Sequence, residues 1–315
     1  MHAAATEAQS AALRTLLRSL GQIVLQPNAF TGACLLAAWL IHDPRLACAA
    51  LIGAVAANVS ATLAGYDGHD TRAGLHGFNG ALAGLAAFVN ISDNTTAVAV
   101  AILAATGTAW LLQPWSQRLR KHGLGYFSSP CLLVTWLWLA FAAFTVQTPG
   151  VEAAQHFSAE RASAGVLAGL AQTGFASSAY SGLLVLVGIA ASSRKHALWA
   201  LLGAALASAA QLLLGATASS FDTGLLGFNG ALTALALADG SAATTLAGVG
   251  LSVALQALAV QFGLPAMTAP FVLATWSIQL YRQPMASTTA ATEAVERGDN
   301  ARRSNASVRA SEAGR

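Results

Sequence analysis

Charge is what this chain has least of. Asp, Glu, Lys and Arg together make up 9% of its 315 residues, where a soluble domain carries about a quarter. With 55% of residues hydrophobic and a mean hydropathy of +0.57, the chain has too little polar surface to stay in water. The few charges are also bunched. None occurs from His122 to Val151, from Ala162 to Ser193 or from Gly240 to Tyr281, and each gap exceeds the roughly 20 apolar residues that a bilayer-crossing helix needs. The deficit excludes a soluble protein and leaves an all-α polytopic membrane protein. Cysteine is scarce too. Cys34, Cys48 and Cys131 are an odd number without metal-ligand spacing, which argues against a disulfide framework or a zinc site and for buried thiols.

Ionisable groups are missing where an ion-driven transporter would want them. No Asp, Glu, Lys or Arg lies well inside any apolar segment, whereas proton and ion relays are built from such residues. No nucleophile–base pair or metal constellation is visible either, which argues against an enzyme embedded in the membrane and against a cofactor. The pI near 9.0 reads as a basic membrane face rather than a nucleic-acid surface. The opening MHAAATEAQS is polar and carries Glu7, unlike a secretory signal.

What is present is hydrophobic length, in ten apolar segments. They run over 20–41, 46–65, 73–90, 95–113, 129–147, 166–191, 197–217, 223–238, 243–264 and 268–283. With both termini on one side, that side receives every Lys and Arg except Arg45 and Arg161, so the termini are expected in the cytoplasm. The expected divisions are a cytoplasmic segment 1–13, a first membrane repeat 14–147, a linker 148–165, a second repeat 166–284 and a disordered tail 285–315.

The two membrane parts are written in the same words. GLHGFNGALAG (Gly74–Gly84) returns as GLLGFNGALTA (Gly224–Ala234), 150 residues later. GQIVLQPNAFTG (Gly21–Gly32) aligns with AQTGFASSAYSG (Ala171–Gly182) at the same offset. SSPCLLVTW (Ser128–Trp136) aligns with TAPFVLATW (Thr268–Trp276) at an offset of 140, and the shortfall is assigned to the basic loop after Trp115. Five crossings per half is an odd number, so the second copy enters the membrane from the opposite face. That is an inverted-topology repeat, whose site lies where the halves meet.

The repeated polar residues are the candidate site. Glycines allow turns and close helix contact. Asn79 and Asn229 suit the cap of a helix that begins inside the membrane. Phe78 and Leu82, like Phe228 and Leu232, are four apart and share a helix face. Gln22 and Gln172 are costly in hydrocarbon unless their amides are bonded. Thr135 and Thr275, each five residues after a proline, would face each other at a pseudo-two-fold axis. His76 has Leu226 as its counterpart and reads as a packing or loop residue. Together they describe an uncharged, narrow path for a neutral polar solute.

The doubled GLxGFNGAL, the Q-bearing opening and the paired P-x-x-x-x-T-W resemble the urea transporter family of bacterial type, over about residues 14 to 283. The resemblance implies homotrimers with one pore per protomer, set among membrane lipid in the bacterial inner membrane. Each half would have five membrane helices plus a re-entrant pore helix. Transport would be passive: dehydrated urea passes a slot between phenylalanine rings beside a ladder of oxygens. By that resemblance Phe78, Leu82, Phe228 and Leu232 line the slot, Thr135 and Thr275 stand at its centre, Gln22 matches the family's first-half glutamine, and Gln172 matches the second-half position where the family has glutamine or glutamate. The family's aromatic three residues after the glutamine is matched by Phe175, but Leu25 stands in the first half. A channel for ammonia or another small neutral amide is the alternative; it would want paired pore histidines, which are not visible.

Overall fold

The computed structural model describes residues 2–140 and 158–283. The end of the fifth apolar segment, most of the expected linker and the expected tail lie outside the described residues. Where the linker is described it is already helical, since α8 begins at Ala159.

Every regular element among the described residues is helical. The first half comprises α1 (His2–Gly21), a 3-10 turn (Gln22–Val24), α2 (Ala29–His42), α3 (Pro44–Leu63), the short α4 (Gly68–Arg72), α5 (Gly77–Asn90), α6 (Asn94–Arg120) and α7 (Ser129–Leu139). The second half runs α8 (Ala159–Ala171), a 3-10 turn (Gln172–Gly174), α9 (Ala179–Ser192), α10 (Arg194–Leu213), the short α11 (Ala218–Asp222), α12 (Phe228–Leu237), α13 (Ala242–Gln261) and α14 over 269–283.

The halves match in backbone conformation as well as in order. Left-handed residues recur at Leu25 and Phe175 (φ 59° and 63°), at Phe127 and Met267 (44° and 45°), and at three glycine pairs. Helix starts are defined by side-chain oxygens that accept the first free backbone N–H groups: Asn28 and Ser178 before α2 and α9, Asp43 and Ser193 before α3 and α10, Asp93 and Ser241 before α6 and α13.

Three sequence expectations change here. The apolar segment 20–41 is not one helix. The chain breaks after the 3-10 turn at left-handed Leu25, and the pieces on either side are bent by 77°; the break at Phe175 bends the second half by 70°. The basic stretch after Trp115 is not a loop. It is the last turn of α6, which has 27 residues against 20 in α13 and takes up most of the difference in repeat spacing. Cys48 is exposed on α3 rather than buried like Cys34 and Cys131. Among the described residues, four helices (α3, α6, α10 and α13) are long and apolar enough to cross a bilayer, or six crossings if each bent pair counts as one.

α5 begins beside the middle of α3. A Cβ on Gly53 would lie 2.1 Å from the Gly80 carbonyl oxygen, and one on Gly80 would lie 2.5 Å from that of Gly53. Gly203 and Gly230 repeat the contact, at 2.5 and 2.4 Å. Two backbones this close leave no space for any side chain. Gly80→Ala or Gly230→Ala is therefore expected to destabilise the protein by about 1–3 kcal/mol or more. Gly250→Ala, at a site with nothing within 4 Å, should leave stability unchanged or raise it by up to about 1 kcal/mol. Thermal unfolding in detergent checks the contrast.

Candidate functional site

The amide of the repeated motif does its bonding away from its own helix. Asn79, the third residue of α5, is 1% exposed. Its Oδ1 accepts from the Cys131 N–H at 3.1 Å, in the first turn of α7, and its Nδ2 donates to the Phe127 carbonyl at 3.0 Å. Asn229 on α12 repeats this: Oδ1 accepts from the Phe271 N–H of α14 at 3.2 Å, and Nδ2 donates to the Met267 carbonyl at 3.0 Å. Each asparagine thus caps the later helix, the one that carries the threonine, while the starts of α5 and α12 have no side-chain cap. The accepting carbonyls belong to the left-handed residues Phe127 and Met267, a backbone state that costs about 1–3 kcal/mol unless its surroundings enforce it.

The two halves grip each other reciprocally. Trp136 Nε1 donates to the Pro265 carbonyl at 2.8 Å, and Trp276 Nε1 to the Gly125 carbonyl at 2.6 Å. Thr31 Oγ1 donates to the Gly188 carbonyl at 2.7 Å, and Ser181 Oγ to that of Ala38 at 2.9 Å. In each pair both residues shift by the repeat offset, so the same contact is made twice with roles exchanged. That is the pattern of a two-fold axis. The counterparts Ser128 and Thr268 meet, hydroxyl to hydroxyl, at 2.8 Å. Trp39, fully buried in α2, donates to the Gly174 carbonyl in the other half's 3-10 turn at 2.6 Å. None of these residues is among the sequence candidates for the site, although Trp136 and Trp276 close the repeated P-x-x-x-x-T-W motif. The tryptophans had a usable signal, since each follows a repeated threonine; Trp39 had none, because Ile189 stands at its counterpart.

The sequence-marked residues fall around this junction. Phe78 and Leu82 belong to one apolar cluster, with Phe175 packed against it. Leu232 belongs to a second cluster, against which Phe228 and Leu25 pack. Leu25 also borders the first cluster, so it stands between the two. Gln22 is half-buried, its Nε2 3.4 Å from the Ala73 carbonyl; the half-buried Gln172 side chain has no hydrogen-bond partner among the described residues.

Thr135 and Thr275 are both 0% exposed. Neither hydroxyl makes the usual bond to the carbonyl one turn back. Thr275 Oγ1 has no partner, and Thr135 Oγ1 meets only the Cys131 sulfur at 3.7 Å. A buried hydroxyl left open costs about 1–3 kcal/mol, so Thr275 stands out, and Thr135 at the matching position has only a weak thiol partner. His76 is also buried, with Nδ1 2.9 Å from Thr71 Oγ1.

An all-helical chain with several bilayer-length apolar helices among its described residues, doubled around uncharged polar groups, has the make-up of a multi-pass membrane protein. The chain belongs to the urea transporter family: residues 13–283 match the family described as Urea transporter. Among curated relatives it is similar to Urea transporter 1 of Rattus norvegicus and of Mus musculus. Both are 27% identical, over 87% of this chain and 80% of the relative.

Asn229 Nδ2 also donates to Gln256 Oε1 at 3.0 Å, a bond with no counterpart at Asn79. Asn229→Ala is therefore expected to destabilise the fold by roughly 2–4 kcal/mol and Asn79→Ala by somewhat less, because buried partners are left unpaired. Denaturation of the two variants side by side checks the order.

Proposed function

We propose that the protein is a passive, channel-like pathway for urea, built from two inverted halves, in a cell membrane with both termini cytoplasmic. The observation that carries the reading is the pair of fully buried hydroxyls at Thr135 and Thr275, neither bonded to its own helix backbone: Thr275 Oγ1 has no partner and Thr135 Oγ1 meets only the Cys131 thiol. On this reading they hydrogen-bond a solute at mid-path. The count of ten crossings, the inner-membrane location and a homotrimer belong to the same proposal. The uneven placing of Lys and Arg supports the topology.

The chemistry suits urea. It is flat, with four N–H donors and one carbonyl, and losing its water costs free energy that the path must offset. Phe78 and Phe228 present ring faces that can stack on the plane and approach the N–H groups. Leu82 and Leu232 close the slot with apolar walls. Gln22, Gln172 and backbone carbonyls supply a line of oxygen acceptors, and Asn79 and Asn229 hold the helices that bear the threonines. Ions are refused because nothing on the path offsets their far larger desolvation cost. Leu25, in place of an aromatic, widens one end of the slot relative to the end closed by Phe175.

Purified protein in liposomes is expected to speed urea entry without any proton or sodium gradient, beyond any effect on ammonia. A requirement for a gradient would sink the channel reading. Thr135→Val combined with Thr275→Val is expected to lower urea flux about tenfold, as loss of one or two hydrogen bonds at about 1 kcal/mol each implies. Unchanged flux in that correctly folded variant would remove the central site.

A further inference from the structure

The two motif phenylalanines are not held alike. The Phe78 ring is stacked on Tyr126, with centroids 5.9 Å apart and planes 29° from parallel, inside the range of favourable offset stacking. Phe78 is 4% exposed, whereas Phe228 is only half-buried. At the position matching Tyr126 the second half has Ala266, which has no ring to offer.

Tyr126 sits in a heavily pinned turn. The preceding Gly125 accepts from Trp276 Nε1 at 2.6 Å and donates to Gln279 Oε1 at 3.2 Å, both from the other half. The following residue is left-handed Phe127, whose carbonyl is held by Asn79. Tyr126 also lines a small polar cavity of about 100 Å³ with Asp70, His76, Gln117 and Arg120. Its ring therefore lies between an apolar partner and a polar space, an arrangement that suits the two-sided chemistry of tyrosine.

We propose that Tyr126 is a positioning residue that fixes the Phe78 ring and so makes the first-half slot the selective constriction of the path, the slot at Phe228 being the looser one. This rests on the proposed urea pathway. Only a residue that sets slot width, rather than general stability, would change the discrimination between solutes of one chemistry and different girth.

The test uses full-length protein in liposomes and compares the permeability to urea with that to N-methylurea. Tyr126→Ala is expected to raise the methylurea-to-urea ratio by about fivefold, the change that an aromatic pair worth ~1 kcal/mol produces. Tyr126→Phe, which keeps the ring, should hold the wild-type ratio, and Ala266→Tyr should leave the ratio equal or lower. If Tyr126→Ala does not fold, Tyr126→Leu takes its place with the same expectation. A wild-type ratio in the Ala or Leu variant would overturn the inference while leaving the urea reading intact. A shift of equal size in Tyr126→Phe would also overturn it, by placing the effect on the hydroxyl. Wild-type protein that passes no urea would remove the functional reading, and the inference with it.

Discussion

An asparagine that caps a helix from another part of the chain is the interaction on which the rest of this structure depends. A helix that starts away from water leaves its first N–H groups without partners, and a chain with 9% charged residues has few groups to spend on them. Asn79 and Asn229 solve the problem for α7 and α14, and each also restrains the left-handed residue that precedes its helix. Because the amide projects from the residue next to a motif phenylalanine, one bond set ties the aromatic to the helix that bears the threonine. The glycines on either side follow from the same demand. The amide reaches across only because α5 and α12 lie backbone to backbone against α3 and α10.

The two-fold relation multiplies this economy. Reciprocal bonds from Trp136 and Trp276, and from Thr31 and Ser181, join the halves with uncharged donors and main-chain acceptors. Bonds of this kind satisfy buried polar groups without the desolvation cost of ion pairs. Where an ion pair does occur, as between Arg161 and Asp222, the aspartate is open to solvent. Departures from symmetry are local: Leu25 against Phe175 and Tyr126 against Ala266. They leave the shared backbone intact, so the two halves differ locally without any change in architecture.

How much could be read in advance varied with the kind of residue. The helical class and the doubled motif followed from composition and repetition, which do not depend on what touches what, and the family from the resemblance that the repeated motifs carry. The breaks at Leu25 and Phe175 escaped, because an apolar residue in a left-handed conformation has the same hydropathy as one in a helix. The basic stretch after Trp115 was mistaken for a loop for a related reason. Arg118 and Arg120 suit the last turn of a helix, where they oppose its dipole, as well as they suit a loop.

By itself the sequence determined that this is a helical membrane protein written twice, with paired phenylalanines, asparagines and threonines at matching places. Those are statements about type and spacing, and hydrophobicity and repetition are enough to decide them. Tertiary structure alone decided that the asparagines cap distant helices, that the tryptophans bond reciprocally between the halves, that the Thr275 hydroxyl is left open while Thr135 meets only a thiol, and that Phe78 rather than Phe228 is backed by a ring. The physical reason is that hydrogen bonds and ring contacts depend on distances of a few ångströms between residues up to 170 apart in the chain, and local sequence carries no record of them.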